Sequence, residues 1–208
     1  KTGQGLLTAA GLRQLNGSLT GWLAQVDTLE LVEYRARSRR FLSRAEDLFA
    51  AAQKAEQRFA DPRAQELYHQ ITLLPWNHRS AAALVHIARY RLQRDELDDA
   101  EWALERLLRQ GGSDEGDDGL FYLARISDAR NQPQRARDYL AELVRDFPDG
   151  DLADDALAQL AARAQKEGGC QAALPYYRRL REEYGRTGWA SVAESAIDRC
   201  SAGGENPP

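Results

Sequence analysis

The chain has 208 residues, of which 43% are apolar and 29% are charged, and its formal net charge is −4. This composition excludes a disordered chain, and the acidic balance provides no basic field that would attract a nucleic acid partner. No run of about 18 apolar residues occurs, so no membrane span is predicted.

Residues 1–44 lack the repeating pattern of apolar and small residues that is described below for the segments after them. A short helix is predicted over residues 6–15. Apolar and small residues then recur at alternating steps of four and three from Tyr34 onward, which predicts one long helix from about Asp27 to Phe59. We interpret residues 1–44 as an N-terminal helical extension that caps the array. The same spacing is typical of a coiled-coil contact, so the formation of a homo-oligomer through this helix is the alternative.

Three segments of similar pattern follow, at residues 81–114, 117–150 and 154–187. In each segment, apolar residues recur at helical spacing on both sides of a turn, which predicts two helices per segment. A residue type that tolerates a left-handed backbone occupies each turn: Asp95, Asn131 and Gly168. Small residues that let the paired helices approach closely are spaced 36 and 37 residues apart, at Ala100, Ala136 and Ala173.

A weaker fourth unit precedes these three segments. Ala64 lies 36 residues before Ala100, and Tyr68 and Ile71 match the second helix of a segment. After the last segment, residues 189–200 are predicted to form a closing helix that covers the final apolar face. The predicted domains are an extension, an array with its closing helix and a disordered tail, at residues 1–44, 45–201 and 202–208.

The pattern of these segments resembles the tetratricopeptide repeat, a helical hairpin of about 34 residues. The resemblance covers roughly residues 45–200. It implies an all-α fold, in which about four hairpins form a right-handed superhelical solenoid with an N-terminal helical extension and a C-terminal capping helix. Since repeats of this type hold other proteins, the resemblance also implies a non-catalytic binding scaffold.

Two stretches between repeats, residues 147–156 and 184–193, share an opening aromatic residue and two alanines at matching positions. They resemble repeats of bacterial envelope proteins, among them the periplasmic coordinator associated with the Tol–Pal system and the repeat lipoprotein of the outer-membrane barrel assembly machinery. The sequence begins at Lys1 and contains no Met, so any signal peptide or lipid anchor is expected to be missing from it. We expect the periplasm of a Gram-negative bacterium, with the cytoplasm as the alternative.

The chain has two cysteines, Cys170 and Cys200. The repeat geometry that the resemblance implies places Cys170 at the turn of the last hairpin and Cys200 near the end of the closing helix, on the same edge of the array. A disulfide between them is therefore predicted, and such bonds persist in oxidising compartments. Two unpaired thiols are the alternative.

The sequence carries no recognisable signature of catalysis or of metal binding. The three histidines, His69, His78 and His86, lack the spacing of a zinc site, and no glycine-rich phosphate loop or nucleophile elbow occurs. The acidic run at residues 114–118 lacks the calcium-loop pattern, and we interpret it as a solvated loop with first-turn helix acids. No enzyme activity, cofactor or metal is predicted.

Partner binding is expected on the concave face that the first helices of such repeats line. The candidates combine apolar side chains with arginines that suit a carboxylate, and they are Phe49, Val85, Arg89, Leu92, Phe121, Arg125 and Asp128. This set lacks the Lys/Asn clamp of chaperone-tail-binding repeats, so that ligand is not expected.

The function expected from these features is a non-catalytic adaptor of the bacterial cell envelope that holds a partner protein or peptide in this groove. Two alternatives stay open. One is a cytoplasmic repeat adaptor or chaperone of a secretion or regulatory system. The other is an accessory domain of a larger enzyme.

Overall fold

The computed structural model describes residues 28–59, 61–110 and 114–201, with side chains described from Arg37 onward. All regular structure in these ranges is α-helical, and they contain no strand. The chain divides into two compact units, Lys1–Asp47 and Leu48–Pro208. The helix predicted at residues 6–15 and the tail predicted at residues 202–208 lie outside the described residues.

Eight helices occupy the described residues. In chain order, α1 to α8, they are Thr28–Glu56, Asp61–Thr72, Ser80–Gln93, Leu97–Gln110, Gly116–Ala129, Pro133–Asp146, Ala153–Glu183 and Gly188–Ser201. Helix α1 matches the predicted long helix except that it ends three residues earlier. Helix α8 matches the predicted closing helix to within one residue at each end.

The helices pack in the order in which they occur along the second unit. Each helix from α2 to α7 contacts the next one, and α3 also contacts α5. Helices α3 and α4 therefore pair as one hairpin, α5 and α6 as the next, and the first helices of these two hairpins touch. The described part of the second unit is thus an all-α structure that resembles a helical repeat.

The turns inside the hairpins have a left-handed backbone at regular intervals. The φ angles of Phe59, Asp95 and Asn131 are 56°, 61° and 55°, and these residues are 36 positions apart. In the last hairpin the positive φ, 67°, falls on Gly169, where it breaks α7 into two parts. The prediction of Gly168 for this turn was therefore wrong by one residue. A Cβ atom at Gly168 would lie 2.8 Å from the Cβ atom of Ala172, so a side chain at position 168 would be too close to Ala172.

The core repeats with the same interval as the turns. Small residues that let paired helices approach are fully buried at Ala64, Ala100, Ala136 and Ala173. Large residues four positions later are buried as well, at Tyr68, Leu104, Leu140 and Tyr177. Each pair supplies one small and one large side chain to the same face of a second helix, which explains the shared spacing.

Polar contacts join neighbouring hairpins across roughly one repeat length. Each bond connects residues 34 to 36 positions apart. Arg106 donates to the Thr72 carbonyl at 2.8 Å, Arg163 to Asp128 at 2.6 Å, Trp189 to Asp155 at 2.6 Å and Tyr184 to the Pro148 carbonyl at 2.7 Å. These bonds hold the register of one hairpin against the next.

The two cysteines lie at disulfide distance, as predicted. The Sγ atoms of Cys170 and Cys200 are 2.07 Å apart and their Cα atoms 5.3 Å apart. The bond ties the second part of α7 to the end of α8, the last helix described. The pair thus fastens the closing helix to the hairpin that it covers.

None of the described helices is both long enough and apolar enough to cross a membrane.

Phe59→Asn is expected to raise the free energy of unfolding by about 1 kcal/mol, because a left-handed backbone is costly for a residue with a bulky Cβ substituent and tolerable for Asn. The Phe59 side chain is 93% exposed, so its removal sacrifices little packing. Urea denaturation would measure the change. Phe59→Leu keeps the strain and serves as the control, and an equal gain in that variant would contradict the backbone explanation.

Candidate functional site

Two of the predicted binding residues are buried in the core. Phe49 is 6% exposed and Val85 is 5% exposed. The Phe49 ring packs edge-on against Tyr68 and His86, with centroids 5.5 and 5.7 Å apart, and the guanidinium of Arg79 lies 4.7 Å from its centroid. The expectation that these two side chains offer contact surface was therefore wrong, since neighbouring helices already cover them.

The other apolar and basic candidates lie nearer the surface. Arg89 and Arg125 are exposed, while Leu92 and Phe121 are half-buried. The Arg125 guanidinium lies 5.6 Å from the Tyr122 ring centroid, and that ring packs edge-on against Phe121. Arg89, Leu92, Phe121 and Arg125, which we call the first-helix face, thus combine charge with partly accessible apolar surface.

Asp128 is exposed, but its carboxylate already has a partner within the chain. Its two oxygens accept hydrogen bonds from Nη1 and Nη2 of Arg163, at 2.9 and 2.6 Å. A paired, bidentate carboxylate of this kind is poorly suited to recruiting a second ligand. In the structure Asp128 therefore serves as a tie between hairpins.

Glu56, Tyr68 and His86 form a polar cluster near Arg89 that was not predicted from the sequence. Tyr68 donates its hydroxyl proton to Glu56 at 3.0 Å, and His86 Nδ1 lies 3.0 Å from the other carboxylate oxygen of Glu56. The rings of Tyr68 and His86 stack at 4.4 Å. Burial lowers the pKa of His86 despite the opposing effect of Glu56, so the imidazole is neutral at pH 7. The cluster locks α2 and α3 to the end of α1.

A larger open cavity of about 840 Å³ lies between two loops that join successive hairpins. Seven of the residues that line it are acidic, and none of its described lining residues is basic. This acidic pocket is formed by Phe147, Pro148, Gly150, Leu152 and the acids Asp114, Glu115, Asp117, Asp118, Asp146, Asp149 and Asp151.

Asp117 is the most deeply placed of these acids, at 6% exposure. Its Oδ1 accepts a hydrogen bond from the Asp118 backbone N–H at 2.9 Å, and its Oδ2 accepts none from any described residue. Gly150 leaves space for this oxygen, because a Cβ atom there would lie 2.7 Å from Oδ2. Asp117 and Asp118 lie in the first turn of α5, as interpreted from the sequence, although Asp117 is buried there.

The pKa of the neighbouring carboxylate, Asp118, is raised by its surroundings. Burial raises the pKa of Asp118 from 3.8 to about 6, and Asp117, Glu115 and Asp151 contribute further, while Arg89 opposes them. These groups come from α5 and the residue before it, from the loop that precedes α7, and from α3. A carboxylate with a pKa raised in this way favours a ligand that brings positive charge.

Asp118→Asn is expected to stabilise the fold at pH 7.5 by about 1 kcal/mol, a value reduced for solvent screening of a half-buried group. Since the folded-state pKa is raised, the folded chain binds the Asp118 proton more tightly, and stability falls as pH rises from about 4 to 6. The gain should vanish at pH 4. Urea denaturation at both pH values would measure it, with the exposed Glu194→Gln as control; an equal gain at pH 4 would contradict the electrostatic explanation.

The sequence contains a signal for this pocket that only the repeat register reveals. The two segments that form the pocket are both acidic, at residues 114–118 and 146–151, and they lie about one repeat apart. Loops one repeat apart are neighbours when hairpins stack. Neither loop is informative alone, which is why the pocket was missed.

Within the part of the chain that the structure describes, no group of three or more His, Cys, Asp or Glu side chains is arranged to hold a metal ion. Comparison with known proteins adds no relative, because no family model matches the sequence and no curated protein matches it at a significant level.

Proposed function

We propose that this chain is a non-catalytic scaffold of the tetratricopeptide type that holds an extended segment of a partner protein on its first-helix face. In this proposal about four hairpins form a right-handed superhelical solenoid whose first helices line the concave side. The interval of 36 residues between turns and between small core residues supports that architecture.

The observation that carries the proposal is the contrast between paired and unpaired arginines. On the first helices themselves, Arg91 of α3 and Arg163 of α7 are engaged by acids. Arg89 and Arg125 make no ion pair with any described residue, and both are exposed on the first-helix face. Unpaired guanidinium groups beside half-buried Phe121 can bind a carboxylate without breaking an existing bond.

The proposed location is the periplasm of a Gram-negative bacterium, where the protein would recruit its partner to an envelope assembly. The cysteine pair at disulfide distance supports an oxidising compartment, because such bonds are rare in the reducing cytoplasm. The aromatic-alanine stretches between hairpins add support through their resemblance to envelope repeats.

The double substitution Arg89→Glu and Arg125→Glu is expected to weaken partner binding by about tenfold or more, because it replaces attraction for a carboxylate with repulsion. The partner would be captured from an envelope extract with the wild-type protein, identified by mass spectrometry and purified. Its dissociation constant would then be measured for both proteins by calorimetry.

The matched control is Arg58→Glu with Arg186→Glu, which changes the net charge equally at two exposed sites outside the first-helix face. Far-UV circular dichroism would establish that both double variants keep their helices. If the Arg89/Arg125 variant is folded and binds as tightly as the control, the partner site lies elsewhere.

A further inference from the structure

Arg89 shares its surroundings with a hydrogen-bonded pair of titratable side chains. An open cavity of about 180 Å³ is lined by Arg89, His86 and two acids, Glu56 and Asp61, together with uncharged residues. Nδ1 of His86 lies 3.0 Å from a carboxylate oxygen of Glu56. A partner carboxylate that reaches Arg89 must therefore enter a cavity that already contains the Glu56–His86 pair.

The hydrogen bond determines which nitrogen of His86 carries the proton at neutral pH. A carboxylate only accepts hydrogen bonds, so Nδ1 donates to Glu56 and Nε2 has no proton. Burial lowers the pKa of His86, while Glu56 opposes this effect and Arg89 adds to it. The His86 side chain is 21% exposed, so it still exchanges protons with water. Acidification therefore places a second proton on Nε2 and turns His86 into a cation beside Arg89.

The charges of the cavity are unfavourable for a partner carboxylate while His86 is neutral. Arg89 supplies one positive charge, whereas Glu56 and Asp61 supply two negative charges. A proton on His86 cancels the excess negative charge. Because charges within one partly buried cavity interact strongly, this proton increases the attraction of the cavity for a carboxylate.

The other groups that face the His86 ring keep their charge when the pH falls. Tyr68 of α2 stacks on the ring and donates its hydroxyl proton to Glu56. Burial raises the pKa of Tyr68, so its hydroxyl stays protonated. Phe49 of α1 packs edge-on against His86, and the guanidinium of Arg79 lies over the Phe49 ring. Among these groups, only His86 gains a proton between pH 7.5 and 5.

A second titrating group interacts with Arg89 from α5. Burial raises the pKa of Asp118 to about 6, with contributions from Asp117, Glu115 and Asp151, while Arg89 opposes them. Asp118 therefore loses its negative charge over the same pH range. Both titrations make the surroundings of Arg89 more positive in acid, so an experiment must separate them.

We propose that the Glu56–His86 pair makes the capture of a partner carboxylate at Arg89 acid-dependent, a proposal that rests on the proposed scaffold function and adds its regulation. At neutral pH, Glu56 and Asp61 weaken the attraction between Arg89 and the carboxylate. In acid, the His86 cation offsets one of these acids. The scaffold therefore binds its partner more tightly when the surrounding medium is acidic.

The test uses a peptide of glycine and serine with neutral ends and one central aspartate, and a matched peptide with asparagine at that position. The aspartate side chain stays largely ionised at pH 5.0 and at pH 7.5. NMR titration of the wild-type protein at low salt should show an affinity for the aspartate peptide about fivefold higher at pH 5.0. The asparagine peptide should show no such difference. By linkage, saturation with the aspartate peptide should raise the pKa of His86, which the NMR signals of its ring report.

Two variants remove the effect of His86 in different ways, and both are made in the Asp118→Asn protein to exclude the titration of Asp118. His86→Asn keeps an amide donor for Glu56 but takes up no proton. Glu56→Gln keeps an acceptor for Tyr68 but removes the group that raises the pKa of His86, so His86 stays neutral at pH 5.0. The Asp118→Asn parent should retain a severalfold ratio of affinities between the two pH values, and each variant should reduce it to less than about twofold.

The matched control is His78→Asn, which removes an exposed histidine from the turn before α3 and should keep the ratio of its parent. Far-UV circular dichroism at both pH values would establish that the variants keep their helices. If His86→Asn unfolds because the stacking on Tyr68 is lost, Glu56→Gln decides, since it leaves the ring in place.

Three results would overturn the proposal. One is a wild-type protein with equal affinity for the aspartate peptide at both pH values. Another is a His86 pKa that the peptide leaves unchanged, and the third is a full pH effect in folded His86→Asn. Failure of the scaffold proposal looks different, because Arg89→Glu with Arg125→Glu would then keep the native partner. If that variant loses the partner while wild-type binding of the aspartate peptide is independent of pH, the scaffold stands and its control by His86 is disproved.

Discussion

Reduction of the disulfide between Cys170 and Cys200 is expected to lower the free energy of unfolding by about 3.5 kcal/mol in the chain-entropy model. The two cysteines are 30 residues apart in sequence, so the bond removes considerable freedom from the unfolded chain. Urea denaturation with and without a phosphine reductant would measure the loss from the midpoint and the slope together, and the slope should increase on reduction because the unfolded chain expands without its cross-link.

The position of the bond makes this effect local as well as global. Among the described helices, α8 packs mainly against α7, and it buries only Ala193, Ala196 and Cys200. A terminal helix with so few buried residues frays easily once its tether is cut. Amide hydrogen exchange in α8 should therefore accelerate more than exchange in α5 or α6 after reduction.

The double variant Cys170→Ala with Cys200→Ala serves as the control, since the reductant should leave its midpoint unchanged. Mass spectrometry of protein from its native compartment should show a mass gain of two hydrogen atoms on reduction. If the native protein already has two free thiols, the disulfide is absent in the cell, and the cytoplasmic alternative replaces the periplasmic proposal.

The regular parts of this fold follow from local patterns in the sequence. The turn residues Asp95 and Asn131 were predicted from residue type and spacing, and both have a positive φ. The cysteine pairing followed from the repeat geometry because that geometry places equivalent edges side by side. Such features depend on one helix and its neighbour, so a repeating sequence specifies them repeatedly.

The binding residues were predicted less well because burial depends on particular neighbours. The repeat register places Phe49 and Val85 at outward positions, but His86, Tyr68 and Arg79 cover Phe49 through an aromatic cluster. A register cannot show which side chains a large neighbour will shield. The acidic pocket was missed for a related reason, since its two loops become one site only after the hairpins stack.

Ala136→Leu is expected to lower the free energy of unfolding by about 3 kcal/mol, the upper end of the usual cost of overpacking. Ala136 is 0% exposed and lies in a core cluster with Leu120, Leu140 and Leu143. Its small side chain lets α6 approach α5 closely, so the extra carbons of leucine must displace a helix or adopt a strained rotamer.

The matched control is Ala141→Leu, which makes the same change on the exposed side of the same helix and should alter stability by less than about 0.5 kcal/mol. Chemical denaturation of both variants would measure the difference. Because leucine has a high helix propensity, a loss confined to Ala136→Leu must come from packing between helices and not from the helix itself. Equal stability of the two variants would mean that the space between α5 and α6 can accommodate a larger side chain, against the close packing inferred here.

The proposed scaffold needs that close packing, since displacement of α6 would also move α5, which carries Phe121 and Arg125. Partner binding should therefore weaken in Ala136→Leu, even under conditions where it remains folded, and persist in Ala141→Leu.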